Sequence, residues 1–502
     1  MFTSILSLPP ELVEQIVIRL QCPDVCQLRL TCRTLNEKTI PGQFKEFYRS
    51  RCVNLTNEDL ERFIEVTKPG WMGCLLRNLT INGVMYDTDS LRRLTARQPP
   101  EVNNLRPSEP STPTIKLLEQ EELLEARSDL ALLETLEQEC ALERQTTSRM
   151  DLLTRAFKQL YRHGSGRWLE SIRLRVIVYA KPKERKRSKE SLTRRINYTT
   201  ADTLEVVLGA LSQSELRATS FDAFYDDRRC SVESKVIAAA LRGLALNPFF
   251  AEIKRMALGV STNVHTYMGN RDTRTNNEGS QEWLNDIARW PRDEKRITGA
   301  ADLLSKTPAL QQLDLHFLSF HSTDANQASH DLHPLSISRN SWLFDRIVNH
   351  VSLPQLQRCS IGGATVSVGS FCDLLKKAPA LERLELDNIR TAYGGKWERI
   401  FDILTSHDTK ISYLMLDDLR QGPGPRLLHF DAPGDPKFSY HHQASETLGP
   451  SMITRIGREA VCQPLKYNLT RAQPLTNAQY LGWEWAQRDK YGPFWMDRRP
   501  SI

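Results

Sequence analysis

The residues of this 502-residue chain best able to do chemistry are its ten cysteines and eleven histidines. A thiolate beside a base makes a nucleophile, and Cys/His clusters hold zinc. The spacing here supports neither. Cys22, Cys26 and Cys32 are separated by three and five residues, with no histidine nearby in sequence, and no Cys-x-x-Cys pair occurs. That usage fits reduced, mostly buried thiols. His441 and His442 form an isolated pair in a polar stretch. There is no G-x-S-x-G elbow, Walker loop or G-x-G-x-x-G after a strand, so nothing marks a hydrolase, an NTPase or a dinucleotide enzyme. The expectation is a non-catalytic chain without metal or cofactor, whose useful residues are those that hold other molecules.

Holding requires elements that present side chains, and the first fifty residues offer a small set. Ser7-Leu8-Pro9-Pro10-Glu11 reads as a helix start, because proline fits the first turn and an acid there complements the dipole. Leu12, Ile16 and Leu20 follow as an apolar stripe, with Val13 and Val17 alongside. Pro23-Asp24 breaks the chain and offers an N-cap for a second short helix carrying Val25, Leu28 and Leu30; a third begins near Thr31 and carries Leu35 and Ile40. Three helices this short have little interior and need a partner surface.

The run Leu8-Pro9-Pro10-Glu11-Leu12, then Ile16 and Leu20, then Leu28-Arg29-Leu30-Thr31-Cys32-Arg33 and Leu35, closely resembles the F-box over residues 4–50. Leu35 stands near where many F-boxes carry tryptophan. The resemblance implies docking onto a Skp-type adaptor, which bridges to a cullin scaffold in a ubiquitin ligase. It assigns Leu8, Pro9, Leu12, Ile16, Leu20, Leu28, Leu30 and Leu35 to the adaptor interface and the packing behind it, without dividing them between the two.

The rest of the chain shows internal repetition. Leu303–Leu315 and Leu374–Leu386 are identical at eight of thirteen positions, where chance gives roughly one. Each copy reads as a helix end, a Pro-marked turn and a strand. Further copies lie at Leu353–Ile361 and Ile411–Leu416, with upstream candidates at Leu76/Leu79/Ile81, Leu169/Ile172/Leu174 and Leu216/Thr219/Phe221. Near residues 250 to 258 two registers remain open, Phe250/Ile253 from the framing proline and Ile253/Met256/Leu258 from periodicity. The expected fold is α/β: an N-terminal three-helix F-box, then over 51–480 an irregular leucine-rich-repeat-like βα solenoid with parallel strands, as in many F-box proteins of filamentous fungi. Residues 481–502, with the Trp483–Trp495 aromatic run, would form a C-terminal cap or tail covering the open end.

Strand alternation then selects the concave face. It carries Ser171, Arg173 and Arg175; Gln312, Asp314 and His316; Arg358 and Ser360; Arg383, Glu385 and Asp387; and Tyr413, Met415 and Asp417. Of these, Arg173, Arg175, Asp314, Arg358, Arg383, Glu385, Asp387 and Asp417 are the target-binding candidates, basic at the early end and more acidic at the late end.

Two insertions interrupt the array. Residues 98–145 begin Pro-rich, then form an acidic, Leu-rich helix from Ile115 to Glu143, expected on the outer face, with a second helix from Met150 to Tyr161. An amphipathic partner-binding helix is the sharper reading of the same stretch. Lys181–Arg195 holds eight basic side chains in fifteen residues, expected as a solvated loop or a nuclear-import signal. The net charge of +6 against 67 basic and 61 acidic residues gives no general reason to expect nucleic-acid binding. No apolar run approaches the ~18 residues of a membrane span, and no secretory leader is seen. The chain is expected in the cytoplasm, the nucleus or both. Its expected role is substrate recognition in a Skp-cullin-F-box ligase, or, alternatively, a non-ligase interaction scaffold.

Overall fold

A computed structural model of the chain describes residues 5–20, 22–39, 48–69, 75–96, 113–145, 148–163, 168–179, 190–225, 230–261, 297–318, 332–392, 394–422, 426–436, 448–470 and 494–496. The Pro-rich stretch before residue 113, the basic run up to residue 189, His441, His442 and residues 481–493 lie outside these residues.

Three helices open the chain, α1 (Pro10–Val17), α2 (Cys22–Thr31) and α3 (Arg33–Thr39). α1 starts as its residues require, with proline at its first position and Glu11 in its first turn. α2 begins at Cys22, so Asp24 lies inside its first turn and does not cap it; Pro23 is tolerated there because the first-turn N–H groups have no intrahelical partner.

Beyond them run β1 (Ser50–Asn54), β2 (Asn78–Tyr86), β3 (Trp168–Tyr179), β4 (Arg217–Ala223), β5 (Val232–Glu233), β6 (Arg255–Ser261), β7 (Gln312–Leu318), β8 (Arg358–Gly362), β9 (Thr365–Val366), β10 (Arg383–Asp387), β11 (Arg390–Thr391), β12 (Tyr413–Asp417), β13 (Leu427–Phe430), β14 (Met452–Ile456), β15 (Tyr467–Thr470) and β16 (Phe494–Met496). The main sheet has the order β1-β2-β3-β4-β6-β7-β8-β10-β12-β14. All neighbours are parallel up to β12, and β14 closes the late end antiparallel. Helices fill the crossovers, so the architecture is a solenoid-like α/β layer with no closed barrel.

The register shows what holds the layers together. Leu79, Ile172, Phe221, Met256, Leu313, Cys359, Leu384 and Leu414 pair laterally, strand to strand. Two residues on, Ile81, Leu174, Ala223, Leu258, Leu315, Ile361, Leu386 and Leu416 do the same. Three residues before the first row stand Leu76, Leu169, Ala218, Ile253, Leu310, Leu356, Leu381 and Ile411, and all three rows are buried. They join the helices in one core that extends from Val53 to Val461. Around residue 255 the periodic register, Ile253/Met256/Leu258, is the one adopted. In β4 the expected Leu216/Thr219/Phe221 is displaced: Phe221 pairs with Ile172, making the unit Ala218/Phe221/Ala223, and small alanines at two of three positions hide that register in the sequence.

Helices Pro113–Arg144 and Ser148–His163 lie close to their expected spans; periodicity also predicts helices over Ser341–Val351, Ser370–Lys377 and Trp397–Thr405, and the structure has Leu332–His350, which starts nine residues earlier, Val368–Lys377 and Glu398–Leu404. Periodicity predicts a helix over Ser234–Leu246, and the structure ends it at Ala240. The helix Glu190–Ser214 takes in residues 190–195, the end of the basic run expected as loop.

Two further expectations are corrected. The acidic helix Pro113–Arg144 does not lie on the outer face. Its Cys140 packs with Val84, Tyr86, Ile177 and Tyr179, residues that alternate with the core-facing Met85, Val176 and Val178. β2 and β3 outrun the other strands and carry apolar side chains on both faces there, so a second cover is required. Nor does the described part of the C-terminal aromatic run cover the late end. β16 pairs with β3, whereas β14 and the small β13/β15 sheet close the late end, with Phe401 edge-on to Tyr467.

The helices Ser234–Ala240 and Gly299–Ser305 touch through backbone: a Cβ on Gly299 would lie 1.9 Å from the Ser234 carbonyl oxygen and 2.5 Å from the Ala238 nitrogen. Gly299→Ala is therefore expected to destabilise the protein by about 1–3 kcal/mol through overpacking, read as a lowered thermal midpoint; an unchanged midpoint would show that the two helices separate without cost.

Candidate functional site

The N-terminal helices divide their apolar residues by exposure. Val13, Val17 and Val25 form a small core, with Leu8, Leu20, Cys26, Leu28 and Tyr48 packed against it. Leu35 is 4% exposed. By contrast Leu12 is 51% exposed, Ile16 36% and Leu30 86%, and Pro9 is also exposed. The Lys38 ammonium donates to the Leu6 carbonyl at 2.8 Å and to that of Leu8 at 2.7 Å, while Arg29 Nε donates to Asn36 Oδ1 at 2.8 Å. These bonds tie the entering segment to α3, and α2 to α3. Leu12 and Ile16, one turn apart, and Leu30 thus remain outside on a framework already closed from within.

The F-box domain model matches residues 5–38. The chain carries an F-box domain. No curated protein matches the chain. The F-box residues named from the sequence fall into an exposed group, Pro9, Leu12, Ile16 and Leu30, a half-buried group, Leu8, Leu20 and Leu28, and the buried Leu35.

The second face of this F-box protein is the side of the main sheet opposite its core. Three polar rows cross it. The first runs Asn78, Ser171, Ser220, Arg255, Gln312, Arg358, Arg383 and Tyr413; the second Thr80, Arg173, Asp222, Ala257, Asp314, Ser360, Glu385 and Met415. The third includes Asn82 beside Arg175 and, later, Gly259, His316, Gly362, Asp387 and Asp417. Every face residue chosen by alternation is therefore on this face.

The charges are interleaved and not segregated between early and late ends. Arg173 pairs with Asp222 at 3.2 Å, Arg255 with Asp314 at 3.0 Å and Arg383 with Glu385 at 2.6 Å. Gln312 Nε2 also donates to Asp314 at 3.0 Å. Burial raises the Asp314 carboxyl above its ordinary value, against the opposing pull of Arg255. The Arg383 guanidinium lies 3.8 Å from the centre of the Tyr413 ring, a cation–π contact. From the turn after β4, Tyr225 reaches across to place its hydroxyl 3.3 Å from that of Ser360. Gln312, Asp314, Arg358, Ser360, Arg383 and Glu385 rim a depression of about 220 Å³ whose floor includes Cys359.

Burial pushes the Cys359 thiol up, as it does those of Cys140 and Cys372, away from the thiolate that nucleophilic chemistry requires. Among the described residues there is no cluster of metal ligands and no helix long and apolar enough to cross a membrane. Alternation also leaves out residues contributed by neighbouring strands: Asp222, Arg255 and Tyr225, and on β14 the exposed Met452 and Ile456. The first three sit in units whose register was weak, and β14 enters antiparallel with no repeat signature.

The exposure division generates a test. Leu35→Ala should cost the F-box about 2–4 kcal/mol, a buried leucine truncation, whereas Leu30→Ala should change stability by less than about 0.5 kcal/mol. Denaturant unfolding of both variants checks this; equal losses would mean that Leu30 is part of the fold's interior.

Proposed function

We propose that this F-box protein is the substrate-recognition subunit of a Skp-cullin-F-box ubiquitin ligase. Its F-box grips a Skp-type adaptor, a cullin scaffold lies beyond the adaptor, and the repeat region, a degenerate leucine-rich array, holds a target protein on its polar face. The observation that carries the reading is the exposure of Leu12, Ile16 and Leu30 on a matched F-box whose own core is already filled. Exposed leucine and isoleucine on a closed framework are suited to a partner surface, and each anchor buried there contributes about 1.5–3 kcal/mol.

In this role the chain supplies no bond-making group. It acts by proximity, holding a target lysine near a ubiquitin-charged enzyme at raised effective concentration. The work takes place in the cytoplasm, the nucleus or both. Candidates for target contact are the open-face residues Arg173, Arg175, Asp314, Arg358, Arg383, Glu385, Asp387 and Asp417. Three pairs, Arg173 with Asp222, Arg255 with Asp314 and Arg383 with Glu385, keep the surface ordered.

The test is recovery of a Skp-type adaptor by the full chain and by Leu12→Asp/Ile16→Asp. The double variant should lose adaptor at least tenfold while melting as the wild type does. Equal recovery would refute the assignment. Adaptor binding without any partner whose level rises on deleting residues 4–50 would favour the non-ligase scaffold.

A further inference from the structure

The open face changes character toward its late end. Across β8, β10, β12 and β14 the residues in register are Arg358, Arg383, Tyr413 and Ile456. Arg383 is held twice, by Glu385 and by the Tyr413 ring. Arg358 is exposed; the nearest carboxylates in its depression, Asp314 and Glu385, are each engaged by another arginine, and no ion pair or hydrogen bond joins the Arg358 side chain to another described residue. At the far end Ile456 is 73% exposed and Met452 47%. Both share the open face with Tyr413 and Met415, because Ile456 pairs with Tyr413 and Met452 with Asp417. One row therefore presents a cation with no ion pair or hydrogen bond to another described residue, a stacked arginine–tyrosine step and an exposed isoleucine.

We propose that the row from Arg358 to Ile456 binds an extended segment of a partner protein carrying a carboxylate side chain about four residues from a bulky apolar one. Three strand spacings of about 4.8 Å separate Arg358 from Ile456, roughly 14 Å, and an extended chain covers that in about four residues at ~3.3 Å each. Charge complementarity selects the acidic end, since the guanidinium forms paired bonds with a carboxylate. A carboxylate suits it better than a phosphate: Asp314 and Glu385 flank the same depression, and a dianion there meets their repulsion more strongly than a monoanion does. The apolar end covers Ile456 and Met415 over the Tyr413 ring. The segment rests on the reading of this face as the target face, and names the chemistry that the face accepts.

The experiment is selection from a displayed library of random twelve-residue peptides on the full-length protein. The expected outcome is enrichment of Asp or Glu four positions from Leu, Ile, Met or Phe. A synthetic peptide of the enriched sequence should bind Arg358→Glu at least tenfold more weakly, and Ile456→Asp at least fivefold more weakly, both variants melting as the wild type does. Replacing the peptide's acid by lysine should abolish binding to wild type and restore it to Arg358→Glu, a reading independent of variant stability. Enrichment without this spacing, or binding indifferent to Arg358→Glu, overturns the proposal. So does a phosphoserine peptide that binds tenfold more tightly than the carboxylate one, or self-association of the protein abolished by Ile456→Asp, which would make a second copy the occupant. Failure here with the adaptor still bound leaves the ligase reading standing; loss of the adaptor with the peptide still selected does the reverse.

Discussion

Everything beyond the F-box depends on lateral burial of three apolar positions in each strand unit. A five-residue strand such as Arg383–Asp387 and its short helix bury too little to persist by themselves, but Leu381, Leu384 and Leu386 lie against Leu356, Cys359 and Ile361 on one side and Ile411, Leu414 and Leu416 on the other. Because side chains alternate along a strand, driving the fourth and sixth positions inward forces the third and fifth outward. Burial and display are one geometric fact. Aromatic rings add a second continuity, for Phe317 on β7 and Phe344 and Phe371 on the next two helices contact in succession.

Where the strands lengthen, that arrangement is no longer sufficient. β2 and β3 extend past their neighbours and turn Val84, Tyr86, Ile177 and Tyr179 to the otherwise polar side, where Tyr86 and Tyr179 stack at 5.4 Å. The acidic helix Pro113–Arg144 covers them. Arg195, the last residue of the basic run, donates to Glu137 of that helix and to the Tyr86 carbonyl. The two oppositely charged insertions therefore meet at one place, and part of the charge that stood out in the sequence serves to hold a cover on the sheet.

Strong periodicity made much of this legible. The four late units carry leucine, isoleucine or cysteine at the three buried positions, and their register was correct residue for residue. β1 was not legible, because Ser50-Arg51-Cys52-Val53-Asn54 buries little besides Val53, and its strand state comes from pairing with β2. Membership of the open face followed from alternation, but the state of each charge did not. Arg255 and Asp314 are 59 residues apart in the chain, and only the sheet order reveals that one neutralises the other while Arg358 stays uncommitted. In the F-box the stripe of Leu12, Ile16 and Leu20 looked uniform, and the third dimension divided it.

The pairing of β16 with β3 joins Phe494 to Ile177, more than three hundred residues earlier. The repeat units can assemble in order of synthesis, each strand meeting a neighbour already made. The far stretch of β3 cannot, since its partner on that side leaves the ribosome more than three hundred residues after it. Contacts of such sequence separation form slowly. During synthesis Ile177, Val178 and Tyr179 hold an incomplete strand edge, the kind of surface that invites unintended pairing, and the acidic helix, emerging before β3, covers the Ile177 and Tyr179 side chains in that interval but leaves the edge open.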